Sequence, residues 1–365
     1  MDMEREDSIT QQSLAVRRHK TIRNRVRPDR SVVTLLAGAA LTCAPLVASA
    51  EEEDGSNLSY AVTIEIQNDY NFDSDDPLAE FNDTFATITG EFSYAFGAGS
   101  SINATALIEP VEDPIDDRFF EDHGFYFEEL FYAQEFRGVE FVLGKYNPAF
   151  GFAWDAAPGI YGVDFAEDYQ ILERLGAAVN IPVLGGDHVF QFALFQADRT
   201  ILSDSIGTER GQTNILSGGV SNTNGPESFS ATLTGEFGDT AYNLGFQHQA
   251  RGVGDVKDQS GVVGGVIQSF NSVEVLGEVA YLEGFEGTPY DALYVTAGVS
   301  VPVGPVSLSG VFSLRDIETM PTDRLFTVAG EIELLDNVTA SLGYRFGDEG
   351  GVDTQTFGTL IVVEF

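Results

Sequence analysis

The chain has 365 residues, 43% of them hydrophobic, with 57 acidic against 19 basic side chains and one cysteine. That is too apolar for a disordered acidic polymer, and one cysteine excludes a disulfide framework and any cysteine-based zinc site. A formal charge of −38 argues against nucleic-acid binding, which needs a basic footprint to displace counterions.

Residues 1–50 differ from the rest. Arg17, Arg18, Lys20, Arg23, Arg25, Arg27 and Arg30 form a basic run, followed by the uncharged stretch Val32 to Val47 and then Ala48-Ser49-Ala50. Basic flank, short apolar core and a small-x-small site are the parts of a secretory signal peptide, with cleavage expected after Ala50. A membrane anchor is the alternative, but the apolar stretch is short for a spanning helix and carries Pro45. Residues 1–50 hold 8 basic and 5 acidic side chains, which leaves 11 basic and 52 acidic in 51–365. That remainder has no cysteine, so it must hold together by burial and backbone pairing.

From residue 51 onward no run of 18 apolar residues occurs, and helical periodicity is scarce. Period-two alternation recurs instead, as in Val62-Thr63-Ile64-Glu65-Ile66 and Phe357-Gly358-Thr359-Leu360-Ile361. Sixteen such segments are centred near residues 64, 91, 105, 130, 142, 178, 192, 232, 245, 266, 277, 297, 310, 330, 342 and 361, the one near 266 being weak. Connections alternate between long (69–84, 110–123, 147–173, 198–227, 250–261, 283–291, 316–324, 347–354) and short, such as Arg137-Gly138 and Asn271-Ser272. Tight turns at one end and long loops at the other describe an all-β, 16-stranded antiparallel transmembrane β-barrel over 51–365. Short turns would face the periplasm and long loops the exterior. A closed barrel leaves no unpaired backbone in lipid. A soluble β-sandwich or β-solenoid also alternates, but a sandwich domain has about seven to nine strands.

The leader, the sixteen alternating strands and the terminal Val363-Glu364-Phe365 resemble Gram-negative outer-membrane porins over the whole of 51–365. Leu143-Gly144-Lys145-Tyr146-Asn147-Pro148-Ala149-Phe150-Gly151 is also similar to a run in porins, including phosphate-selective-like ones. The resemblance implies a cell outer-membrane channel for small hydrophilic solutes, a homotrimer, contact with lipopolysaccharide, and a C-terminal strand (Phe357, Ile361, Val363, Phe365) read by the barrel-assembly machinery. It also implies that the connection after strand five folds into the bore as a constriction. Residues 147–173 occupy that place, and are more aromatic than a solvated loop should be: Phe150, Phe152, Trp154, Tyr161, Phe165 and Tyr169, with Asp155, Asp164, Glu167 and Asp168. An external lid or a contact between copies is the other reading of this segment.

Alternation assigns Arg174, Arg251, Arg315 and Arg345 to the lumenal set, near the long-loop ends. Acidic residues set against these arginines would create a transverse field that orders water and disfavours apolar solutes; rim pairing is the alternative role. Lys145 falls with Phe141 and Leu143 on the outer set, unless the register breaks at Gly144. Lumenal carboxylates are numerous: Glu65, Glu91, Glu109, Glu128, Glu274, Glu278, Glu331 and Glu333. Their excess predicts cation preference and does not support carrying over phosphate selectivity. The spacing of Asp69, Asn71, Asp73 and Glu80 mimics a calcium loop but lacks its glycine, so a solvated acidic loop stands beside Ca²⁺ or Mg²⁺ binding there, and no resident cofactor or metal is assigned. His123, His188 and His248 offer poor material for catalysis, so no enzyme is expected. A substrate-specific channel using Tyr161 and Trp154 as a stacking track, or a plugged adhesin-like barrel, are the remaining alternatives.

Overall fold

The computed structural model describes residues 57–365. The leader, its cleavage after Ala50 and Cys43 lie outside the described residues. Sixteen long strands occur: β1 Leu58–Ser74, β2 Asn82–Gly97, β3 Ser100–Pro110, β4 His123–Phe136, β5 Val139–Tyr146, β6 Arg174–Val183, β7 His188–Ala197 and β8 Ser228–Phe237. They continue as β9 Thr240–Gln249, β10 Gln259–Phe270, β11 Val273–Glu283, β12 Ala292–Val303, β13 Val306–Ile317, β14 Asp323–Leu335, β15 Val338–Glu349 and β16 Val352–Glu364. Each pairs antiparallel with its successor, and β16 returns to β1 with Val363 opposite Ile64 and Phe357 opposite Tyr70. Phe365 completes the seam, exchanging backbone hydrogen bonds with Val62 at 2.9 and 3.1 Å. The sheet is therefore a closed barrel, and all sixteen alternating segments are its strands.

Alternation sorts side chains between an apolar outside and an occupied inside. In β13, Leu308 and Phe312 are exposed on the outer wall while Val311, Ser313 and Arg315 are buried in the bore. Aromatic residues cluster on the outer wall near the strand ends: Tyr94, Phe96, Tyr132 and Phe136 toward the tight turns, Tyr70, Phe72 and Phe357 toward the long loops. The weak segment near 266 has a physical cause. The inward face of β10 is Gly261, Val263, Gly265 and Ile267, so both faces are apolar and the period-two signal fades.

The short connections are hairpin turns. Arg137-Gly138 has φ of 54° and 77°, the paired positive values that match the twist of the flanking strands. The connection expected to be long at 347–354 is also short. β15 and β16 run on to Glu349 and from Val352, leaving Gly350-Gly351 as a two-residue turn at φ 63° and 81°.

Two local defects in the wall are repaired by loops. β5 pairs with β4 over Val139–Lys145 and Leu130–Phe136, so the start of β4 lacks that neighbour. Ile206-Gly207 from the connection 198–227 pairs there with Phe125 and Gly124. Beyond the end of β3, Arg118-Phe119 lies parallel to Asp83-Thr84 of β2, and Arg118 makes two hydrogen bonds of 2.7 and 2.8 Å to the buried Asp83 carboxylate. A third irregularity is a bulge in β4. Thr105 stands opposite Glu129 and Ala106 opposite Phe127, so Glu128 and Glu129 both turn inward.

Candidate functional site

The core of this molecule lies in the bore, where residues 147–173 pack against the inner wall. The neck of the segment is tied shut. Asn147 donates its backbone N–H to Glu129 and its side-chain amide to Glu128, both at 2.9 Å, and accepts the Glu173 N–H at 2.7 Å. The Ala149 N–H reaches Gln191 of β7 at 2.9 Å.

From there the segment travels round the wall on a series of glycines. Phe150 sits over Gly245 and Gly261, Phe152 over Gly265, and Pro158 beside Gly298; a Cβ at these positions would lie 2.7–3.2 Å from the packed rings. The short helix α1, Ala153–Ala156, begins over Glu278 of β11. That carboxylate accepts the Phe152 and Ala153 N–H groups at 2.9 Å each and the Tyr169 hydroxyl at 2.6 Å. Burial and the adjacent Glu278 push the Tyr169 hydroxyl well above its ordinary value, so it stays protonated and donates. Tyr161 reaches the far side, its ring over Gly343 and Gly358 and its hydroxyl donating to Asp69 of β1 at 2.7 Å.

The return is charged. Asp164 meets Arg345 at 2.9 Å and Asp168 meets Arg315 at 2.7 Å. Arg315 also contacts Asp323 at 2.6 Å and Glu349 at 3.4 Å, and lies 4.6 Å over the Phe165 ring. Glu349 is shared with Arg345 at 2.5 Å. Between this return and the β1–β3 wall lies a cavity of about 470 Å³. Eight carboxylates border it (Asp69, Asp83, Glu109, Asp113, Asp164, Glu167, Asp168 and Glu349) against three guanidiniums, those of Arg118, Arg315 and Arg345.

The structure brings Asp164, Glu167, Asp168, Arg315 and Arg345 together at this cavity and places several other sequence-derived candidates elsewhere. Asp155 lies on α1 and does not border it. Arg174 faces inward on the covered side, with Nη2 3.4 Å from Gln249. Arg251 is a correction: β9 ends at Gln249, so it stands exposed in the following loop and donates to the Val256 carbonyl at 3.3 Å. Glu128 and Glu278 face inward but are covered by residues 147–173, so they anchor that segment; Glu65 and Glu91 stand on the inward faces of β1 and β2, away from the cavity lining. Arg315 and Arg345 do not oppose the acidic residues across open space. They touch them, which replaces a transverse field by close ion pairs.

Lys145 is buried and not on the outer wall. Gly144 has φ +146°, and the Lys145 ammonium lies 2.7 Å from Glu173 and 3.2 Å from Asp198. Trp154 is buried within the packed segment, its indole donating to the Phe150 carbonyl at 3.2 Å, while Tyr161 borders the cavity, so the two do not line one stacking track. The calcium-like run is extended strand through Ser74, and the Glu80 carboxylate accepts the Ser74 N–H. His123, His188 and His248 contact Ala86, Tyr242 and Ser260, none of them an acid. On the C-terminal strand Phe357, Ile361 and Phe365 are exposed and Val363 is half-buried. Sequence reasoning missed Glu129, Asp198 and Arg210. The Glu128-Glu129 doublet inside an alternating strand is a readable sign of a bulge; the Arg210 bidentate contact to Glu173, at 2.6 and 2.8 Å across a long loop, left no local signal.

No family model and no curated protein matches this chain. Solved structures do. The outer membrane channel DcaP of Acinetobacter baumannii is 10% identical with a TM-score of 0.61, covering 87% of this chain and 100% of that one. An anion-selective porin from Comamonas acidovorans is 14% identical with a TM-score of 0.57, covering 85% and 100%. A mutant of the Rh. blastica porin is 15% identical with a TM-score of 0.58, covering 84% and 100%. The chain has the fold of these porins and channels.

Proposed function

We propose that this protein is a general diffusion porin of a Gram-negative outer membrane, a passive channel for small hydrophilic solutes and ions that prefers cations, with no catalytic activity. What carries the reading is a closed barrel with an apolar outer wall and a charged cavity inside it. Lipid has no donors or acceptors for an open sheet edge, and this sheet has none along its seam. Cation preference is supported by charge. Each cavity arginine touches at least one carboxylate, and carboxylates remain in excess around the cavity. A negative passage lowers the energy of cations and raises that of anions, less so at high salt. In this reading residues 147–173 form the constriction. Outer-membrane lipid and lipopolysaccharide surround the wall, the barrel-assembly machinery reads the strand ending in Phe365, and three copies assemble.

Planar-bilayer recording tests the proposal. Ohmic currents with a reversal potential favouring cations are expected. Asp164→Asn, Glu167→Gln and Asp168→Asn together should lower the cation preference about tenfold, since each charge within several ångströms of a passing ion is worth under 1 kcal/mol in water-like surroundings. Absence of current rejects the channel, and an unchanged reversal potential rejects the constriction role of this segment.

A further inference from the structure

The far end of the inward segment is held by an arrangement that the channel reading alone does not require. Gly343 of β15 and Gly358 of β16 are direct partners across the two strands. Their missing side chains leave one notch on the inner wall, and the Tyr161 ring fills it. A Cβ at Gly358 would stand 2.0 Å from the Tyr161 hydroxyl oxygen and 2.6 Å from the ring; one at Gly343 would stand 3.1 Å from Ile160 and 3.4 Å from the same ring. Beyond the notch the hydroxyl donates to Asp69, which also accepts from Gln67 at 2.7 Å. Three residues on, Asp164 meets Arg345, and Arg345 is two residues from Gly343 on the same strand. The connection between them is tight, with the Asp164 N–H returning to the Tyr161 carbonyl at 3.5 Å.

We propose that Tyr161, seated in the Gly343–Gly358 notch, is the positioning residue that fixes the acidic return of the segment on its arginines and thereby sets the width and charge preference of the passage. The proposal rests on the channel reading above. Tyr161 itself borders the cavity. A side chain at position 358 can displace it only toward the open space, which narrows the bore. The same shift draws Asp164 from Arg345, and a less neutralised guanidinium then faces passing ions.

Single-channel conductance and reversal potential of the full protein test this with Gly358→Ala, Tyr161→Ala, the double variant, and Gly310→Ala as a control on the outer wall, where a new Cβ meets nothing closer than 3.7 Å. Gly358→Ala is expected to lower conductance about twofold and to weaken cation preference, as a narrower bore with a barer cation should. Gly310→Ala should match the unaltered protein. Tyr161→Ala, which removes a bordering ring and adds no bulk, should raise conductance. In that background Gly358→Ala should have no further effect, because the two residues act through one contact. Unchanged conductance in both Gly358→Ala and Tyr161→Ala overturns the proposal, as does an equal Gly358→Ala effect without Tyr161. Should Gly358→Ala fail to assemble, Tyr161→Ala alone decides. An unaltered protein that passes no current defeats the channel reading; a conducting one with unresponsive variants defeats only the notch.

Discussion

Between β8 and β11 residues 147–173 rest on glycine, valine and isoleucine, and Glu278 supplies three hydrogen bonds to otherwise buried donors. Between β13 and β15 the same segment rests on Arg315 and Arg345 through ion pairs that border the cavity. One seat is dry and the other wet, and they serve different ends. A dry seat exchanges apolar area for stability and leaves no charge to sense a solute. A charged seat adds less net stability, since the cost of desolvating its buried ions offsets much of their attraction, but it shapes the field in the passage.

Removing the acceptor from the dry seat is the most damaging way to break this contrast. Glu278→Ala leaves two backbone N–H groups and the Tyr169 hydroxyl buried without an acceptor, at a cost of about 3–5 kcal/mol. The temperature at which the folded barrel is lost in detergent should fall sharply, and Glu278→Gln should fall less. At the wet seat, Arg315→Gln releases Asp168, Asp323 and Glu349 from their shared cation. Its main readout is electrical: the cation-to-anion permeability ratio should rise about two- to threefold, the worth of one charge close to the passage. A stability loss as large as that of Glu278→Ala, with no change in selectivity, would erase the distinction.

The smallest effect sharpens the boundary between the seats. Glu286, in the loop after β11, has its carboxyl pushed up from 4.5 to about 7, chiefly by burial and then by Asp168, with Arg315 opposing. The folded chain thus holds this proton more tightly than the unfolded chain does. Its contribution to stability is complete below about 4.5 and is lost as pH rises through about 7. Heat stability should therefore decline between pH 5 and 8, and Glu286→Gln should flatten the decline.

How much of this was legible in the sequence follows the range of the interactions. The sixteen strands were, because alternation against lipid is a local rule that each segment obeys by itself. β10 nearly escaped because its inward face receives Phe152 and had to be small and apolar. The length of residues 147–173 and its aromatic content marked it as unusual. Which acids would touch which arginines depended on where the chain goes after Pro158, and no local pattern carries that. Arg251 was misplaced by extending alternation two residues beyond the end of β9. Glu129 was lost because strict alternation does not allow the bulge that turns it inward. The glycines beneath Phe150, Phe152 and Tyr161 were visible as gaps in otherwise regular strands, but a gap acquires meaning only from what fills it.

The patches on the wall have a practical consequence for anyone cutting or decorating the exposed end of this molecule. An affinity tag spliced between Gly350 and Gly351 would sit on a hairpin tip and disturb no rung of the ladder. The same tag placed near Ile206 would pull away the two residues that complete the rim beside β4, exposing bare amides at the lipid boundary and detaching Arg210 from Glu173.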